Sequence, residues 1–173
     1  SDEFTCIEAV AEDFSQFFFT TKHGLHIADF EGNVTDVSDK VRMTSGIEGT
    51  SVVTYDDMTA YYLGNEENPG LHYYDGTENR VVDENATDFV GFPGQKYVIY
   101  NTYNEQSSKP EFSYAKGTKT GDLSFPENLW YFDIIAYDDN YIYYKEEDKN
   151  YRLGIYSDAQ PEIAYEIPDM GEY

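Results

Sequence analysis

One cysteine, Cys6, stands among 173 residues, so no disulfide can close within the chain. Oxidative cross-linking is not what holds the fold. Leucine and alanine, the staples of helical bundles, are scarce; there are six Leu in all. No stretch carries a helical period. Basic residues are few: 11 Lys and Arg face 34 Asp and Glu, a formal charge of −23. That excludes a nucleic-acid binder working through phosphate contacts, which needs a basic face, and argues against anionic lipid surfaces. It also places the least soluble condition near pH 4, where the charge is lost. Long apolar runs are missing too. The run Phe132 to Tyr137 is broken by Asp133, far short of the ~18 residues of a membrane span, so no membrane insertion is expected. The opening Ser-Asp-Glu-Phe has no Met, basic start or apolar signal core, and reads as a mature or truncated chain.

What the chain does have is aromatics, 18 Tyr, 11 Phe and one Trp. So many rings exclude an acidic disordered chain and, with Val and Thr, favour strands. The chain also repeats itself. Shifted by 82 residues without a gap, Val53 to Tyr74 lies over Ile135 to Tyr156. Tyr55, Asp56, Asp57, Tyr61, Tyr62, Asn68, Leu71 and Tyr74 then match Tyr137, Asp138, Asp139, Tyr143, Tyr144, Asn150, Leu153 and Tyr156. A fainter copy lies between, where Lys96 to Tyr100 takes the Tyr61 slot. An earlier one holds Gly24-Leu25-His26, which parallels Gly70-Leu71-His72. Four repeats follow, at about 5–49, 50–87, 88–130 and 131–168, within one domain.

Each repeat reads as four short strands. In the second these are Thr50 to Tyr55, Ala60 to Leu63, Gly70 to Tyr74 and Arg80 to Val82, separated by Asp56-Asp57, a Gly/Asn/Pro loop and Asp75-Gly76. Repeats of about 40 residues with four strands each are the signature of propeller blades. The expected fold is therefore all-β, a β-propeller or propeller fragment of about four four-stranded antiparallel blades. The pattern Asp-x-x-x-Tyr-Tyr, a loop, Leu-x-Tyr-x-Asp-Gly-Thr and a closing Val-Val resembles the YWTD-type β-propellers of the lipoprotein-receptor class, and more closely their bacterial surface-protein relatives. The resemblance implies a bacterial protein, extracellular or at the cell surface. Leu63-Gly64 and Lys145-Glu146 stand where the motif has Thr-Asp. Four blades are also fewer than that class's six. Three arrangements fit: a small closed propeller, part of a larger one, or a half that pairs with a second copy through its open flanks. Those flanks are expected at Ile7 and Phe17 to Phe19, and at Ile142 and Ile155.

Candidate sites are modest. The acidic turns Asp56-Asp57 and Asp138-Asp139, with Glu12-Asp13, could present carboxylates to Ca²⁺, which takes about six to eight oxygens. The plainer reading is turn chemistry. His26 and His72 share a repeat slot, expected on a polar strand face, with His23 nearby. A zinc site needs three or four convergent ligands, and Cys6 is remote. Tyr61, Tyr73, Tyr143 and Trp130 could present rings to a ligand, although packing between blades is the commoner use of such residues. No nucleophile elbow, phosphate loop or His-Glu-x-x-His occurs. The expected function is a protein-interaction or scaffold module without catalysis, whose partner is a protein or a glycan. The alternative is a carbohydrate-binding or carbohydrate-active propeller using carboxylates and aromatics at the channel mouth, an argument from fold analogy.

Overall fold

The structure, a computed structural model, describes residues 4–22, 24–42, 51–106, 108–123, 125, 133–146, 149–155 and 162–166. They form four antiparallel sheets with almost no helix. Sheet 1 holds β1 (Phe4–Val10), β2 (Gln16–Thr21), β3 (Gly24–Asp29) and β4 (Val34–Ser38). Sheet 2 holds β5 (Val52–Thr54), β6 (Ala60–Leu63), β7 (Leu71–Tyr74) and β8 (Asn79–Asp83). Sheet 3 holds β9 (Ala86–Gly91), β10 (Val98–Asn104), β11 (Lys109–Lys116) and β12 (Lys119–Leu123). Sheet 4 holds β13 (Ile134–Tyr137), β14 (Tyr141–Glu146), β15 (Lys149–Gly154) and β16 (Glu162–Glu166). In every sheet the strands lie in chain order, each paired with the next. That is the all-β architecture expected, repeated four times.

The turns explain the meanders. Asp13, Asp57 and Asp75 each accept two hydrogen bonds from the residue two places on, one from its N–H and one from its hydroxyl. These are side-chain-closed turns of the kind Asp favours. The residue after each Asp, Phe14, Met58 or Gly76, has positive φ, a conformation the tight reversal requires.

Strand alternation explains the core. Successive residues point to opposite faces, so each sheet has two faces and can pack against two neighbours. Phe18, Leu25, Ile27 and Val37 of sheet 1 pack on Val52, Ala60, Tyr62 and Tyr74 of sheet 2. The other face of sheet 2, with Tyr61, Leu63 and Leu71, packs on Phe89, Val98, Tyr100 and Ala115 of sheet 3. The other face of sheet 3, with Ile99, Tyr114 and Leu123, packs on Ile142, Tyr144 and Leu153 of sheet 4. None of these three clusters joins sheet 4 to sheet 1.

The paired aromatics are thus split between two interfaces: Tyr62 faces sheet 1 and Tyr61 faces sheet 3. Ile142 and Ile155, expected on an open flank, are instead fully buried between sheets 3 and 4. Phe18, expected on the opposite flank, is fully buried between sheets 1 and 2.

The repeat register also needs correcting. Tyr62 pairs with His72, and Tyr144 pairs with Tyr151. The second strands are therefore 82 residues apart (144 − 62), the third strands 79 (151 − 72). The loop before β15 is three residues shorter than the loop before β7, so Asn150, not Leu153, occupies the place of Leu71. Asn150 is correspondingly buried. The parallel of Gly24 with Gly70 does hold structurally. A Cβ on Gly24 would lie 2.0 Å from the Ser38 carbonyl oxygen, and one on Gly70 2.3 Å from that of Asp83. Gly24 opens β3 and Gly70 immediately precedes β7, each just before a register shift, at Leu25/His26 and at Leu71/His72.

Candidate functional site

The acidic turns sit at the loop ends of the sheets. Asp56 and Asp57 line a shallow hollow of about 400 Å³ together with Glu12, Asp13 and Met58, because the Glu12 N–H donates to the Asp56 carbonyl and docks one turn on the next. Asp57 is engaged twice, accepting from Thr59 and pairing with Lys96. Burial raises its pKa, but Lys96 and Thr59 outweigh that and hold it below the usual carboxylate value. Lys96 comes from sheet 3, the one repeat without an acidic pair. Asp138 accepts from the N–H groups of Asn140 and Tyr141, which lower its pKa, and Asp139 is exposed beside it. The two acidic turns belong to sheets 2 and 4 and are not brought together. Among the described residues no group of three or more His, Cys, Asp or Glu is arranged to hold a metal ion.

The histidines are used locally. His72, expected on a polar face, is buried because sheet 1 covers that side; its Nε2 donates to the carbonyls of Asn68 and Pro69, and its ring stacks on Tyr62. His26 lies 2.8 Å from Asp36 and 3.0 Å from the Thr21 hydroxyl. His23 and Trp130 lie outside the described residues.

The tyrosines separate by role. Tyr61 is 1% exposed; its hydroxyl donates to the Ala115 and Gly117 carbonyls at 3.3 and 3.1 Å, so it ties sheet 2 to sheet 3 and has no surface to offer a ligand. Tyr97 makes the corresponding tie from sheet 3 to sheet 4, donating to the Asp138 carbonyl at 3.0 Å. Tyr73 is half-buried, its ring 4.8 Å from that of Tyr61 and against Gly117 of the β11–β12 turn. Tyr143, partly exposed, belongs to none of the three clusters and donates to Asp138 at 3.3 Å.

Two end faces stand out. On the outer side of sheet 1, register aligns Val10, Phe17, Ala28 and Val34 in one row and Ile7, Phe19, His26 and Asp36 in the next. Ile7 is 53% exposed, Val34 57% and neighbouring Phe30 68%. Phe17 touches both Phe19 and Phe30, with ring centroids 6.0 and 5.5 Å apart. The outer side of sheet 4 carries Tyr141, Tyr143, Lys145 and Arg152. Arg152 lies over the Tyr141 ring, 4.9 Å from its centroid. Phe30, Val34 and Arg152 were not singled out from sequence, although alternation about Phe18 marks the partners of Phe17 as facing away from it.

Sheet 3 holds a cleft of about 670 Å³, lined by Asp83, Glu111 and Asp122, the rings of Tyr100, Phe112 and Phe125, and the hydroxyls of Thr102, Ser113 and Thr120. Burial, then the Asp83 charge, push the Tyr100 phenol up to about 12. No periodicity or motif marks these residues, since they converge from four strands, β8, β10, β11 and β12, with Phe125 just beyond the last.

In comparison with known proteins, no family model and no curated protein matches the chain. No helix among the described residues is long and apolar enough to cross a membrane.

Proposed function

We propose that the chain is a protein-interaction module, an arc of propeller-type sheets without catalytic activity of its own. The observation that carries this is the outer face of sheet 1. Exposed apolar surface on a sheet face with Ile7, Phe30 and Val34 open to water marks a recognition surface more often than an accident. Every corresponding face on sheets 2 to 4 is covered. The propeller reading is supported by the ordered meanders and by the stacking of each sheet on the next. An extracellular or cell-surface setting rests on the likeness of the repeat to bacterial surface-protein propellers. A photo-crosslinking residue placed at position 30 tests it in extracts of the cells that make the protein. A protein adduct at 30, and none at exposed Thr77, is the expected result. Reaction with solvent alone at both positions overturns the reading.

A second reading is favoured by the sheet 3 cleft. Carboxylates, hydroxyls and ring faces together suit a saccharide, whose hydroxyls need acceptors and whose C–H faces stack on aromatics. Binding on a glycan array that is lost in Phe125→Ala supports it; an array without signal removes it.

A further inference from the structure

In three of the four sheets the second and third strands set one ring against another. Phe19 pairs with His26, Tyr62 with His72 and Tyr144 with Tyr151, and their ring centroids lie 5.0, 5.1 and 5.5 Å apart. Sheet 3 departs from this pattern. Tyr100 pairs with Ser113, and Ser113 with Asp122 of β12, so a small hydroxyl residue stands where the other sheets have a ring. Val98 pairs with Ala115 in the adjacent row, and that row packs on sheet 2. Tyr100, Ser113 and Asp122 lie two residues along on the same face, turned toward sheet 2 as well. The cleft of about 670 Å³ opens at this place, with Asp83, the last residue of β8, also in its lining. Its volume lies in the range of roughly 300–1,000 Å³ typical of small-molecule sites.

The lining is of one sign. Asp83, Glu111 and Asp122 border the cleft, and no Lys or Arg does. All 11 Lys and Arg of the chain lie among the described residues, so this holds for every one of them. Among the described residues neither Asp83 nor Asp122 forms an ion pair. Asp83 accepts from the Asn85 N–H and from the Tyr100 hydroxyl, and Asp122 from the Ser113 hydroxyl at 3.4 Å. These donors carry no charge and do not neutralise the two carboxylates. A concave wall of one sign concentrates ligands of the other and repels its own.

The polar groups also form a grid. Neighbouring strands lie about 4.8 Å apart, and side chains on one face recur about every 7 Å along a strand. Thr102 with Glu111 makes one row, Tyr100 with Ser113 and Asp122 the next, and Thr120 stands one row beyond. Such a two-dimensional array matches a ring with substituents around it, whereas a linear polyamine calls for a single file of carboxylates.

We propose that the cleft takes a sugar bearing a free, protonated amine, a hexosamine unit whose ammonium meets the carboxylates of Asp83 and Asp122 and whose hydroxyls meet the Ser113, Thr102 and Thr120 hydroxyls. The proposal rests on the saccharide reading of this cleft and adds the charge of the sugar. Acidic and sulfated sugars are excluded by the same wall.

Isothermal titration calorimetry at about pH 6, below the pKa of such an amine, tests this with a glucosamine trimer, its fully N-acetylated counterpart, a galacturonate trimer and spermidine. The glucosamine trimer is expected to bind about tenfold tighter than the acetylated one, because charge-assisted hydrogen bonds are about twice as strong as neutral ones. The galacturonate trimer is expected to give no signal. Asp122→Asn, at an exposed position, is expected to remove the preference for the free amine. Glu12→Gln in sheet 1, the same change in net charge, is expected to leave it. Ser113→His copies the Tyr62 and His72 pair, and is expected to fill the cleft and abolish binding with no loss of melting temperature. Should that variant fail to fold, Asp122→Asn against Glu12→Gln decides.

Equal or tighter binding of the acetylated trimer overturns the inference and leaves the saccharide reading standing. Equal losses in Asp122→Asn and Glu12→Gln also overturn it, since the attraction is then that of the whole acidic chain. Spermidine bound with neither sugar bound defeats both readings, as does the absence of any signal.

Discussion

Gly70 shows how one residue sets a strand. Its φ of +95° suits glycine, and any Cβ would meet the Asp83 carbonyl oxygen at 2.3 Å. Both strain and overlap oppose a side chain. Gly70→Ala is expected to cost on the order of 2–3 kcal/mol, which lowers the melting temperature by roughly 5–10 °C in a domain of this size. A calorimetric scan unchanged from wild type contradicts this account of the Gly-Leu-His repeat. The tyrosines give a second contrast. Tyr61→Phe leaves the buried Ala115 carbonyl and the part-buried Gly117 carbonyl without that hydroxyl and is expected to cost about 1 kcal/mol. Tyr143→Phe, at the same place in the repeat but partly exposed and outside the three clusters, is expected to leave urea denaturation nearly unchanged. Equal losses would mean that the two tyrosines share one environment.

Turns carry the pH dependence of the elements. The Asp75 carboxylate between β7 and β8 accepts from the Thr77 hydroxyl and from the N–H groups of Glu78 and Thr77, with Arg80 also bonded to it. These hold its pKa well below the usual carboxylate value, the Thr77 hydroxyl most of all. A pKa lowered on folding stabilises the protein above the unfolded value near ~3.9, and that stability is lost as pH falls through the folded value. Wild type is therefore expected to melt above Asp75→Asn at pH 7, and the gap to close as the pH drops below about 4. Melting curves that keep a constant gap into strong acid would show that the charge of Asp75 plays no part in the turn.

At the scale of the molecule, stability rests on rings stacked between sheets. Tyr144, in the interface of sheets 3 and 4, and Tyr100 have their phenols pushed up to about 12 by burial, with help from the nearby Glu146 and Asp83 charges. Burial raises Tyr62 as well. Here the sign is opposite to that of Asp75. The neutral phenol is the favoured form, so this stability is whole below the unfolded value near ~10 and is lost as pH rises toward the folded one. Tyrosine absorbance is expected to show part of the 18 tyrosines ionising only together with loss of the far-UV dichroism, above about pH 10. Complete ionisation near pH 10 with the dichroism retained would show that no tyrosine is held in an interface.

Strands and turns were determined by the sequence itself, because their causes are local. Ala60 to Leu63 was placed to the residue, and Asp75-Gly76 marked the turn between β7 and β8, since alternation and Asp-closed reversals act over a few neighbours. The fourfold repeat was equally plain in the Tyr-Tyr and Gly-Leu-His recurrences. Register across the variable loop was not, because an ungapped match of Leu71 with Leu153 cannot reveal that the loop before β15 is three residues shorter. Nor could sequence say which ring of each pair is used. Tyr61 and Tyr143 are the same residue in the same slot, yet one is sealed under sheet 3 and the other lies at the end of the arc. Ile142, which looked like a flank, is core because its strand turns that side toward sheet 3. The cleft of Asp83, Tyr100 and Phe125 exists only where separate strands and loops converge. Alternation decides that neighbours face opposite ways, but whether a face meets water or another sheet depends on how the sheets are stacked, and no local pattern encodes that order.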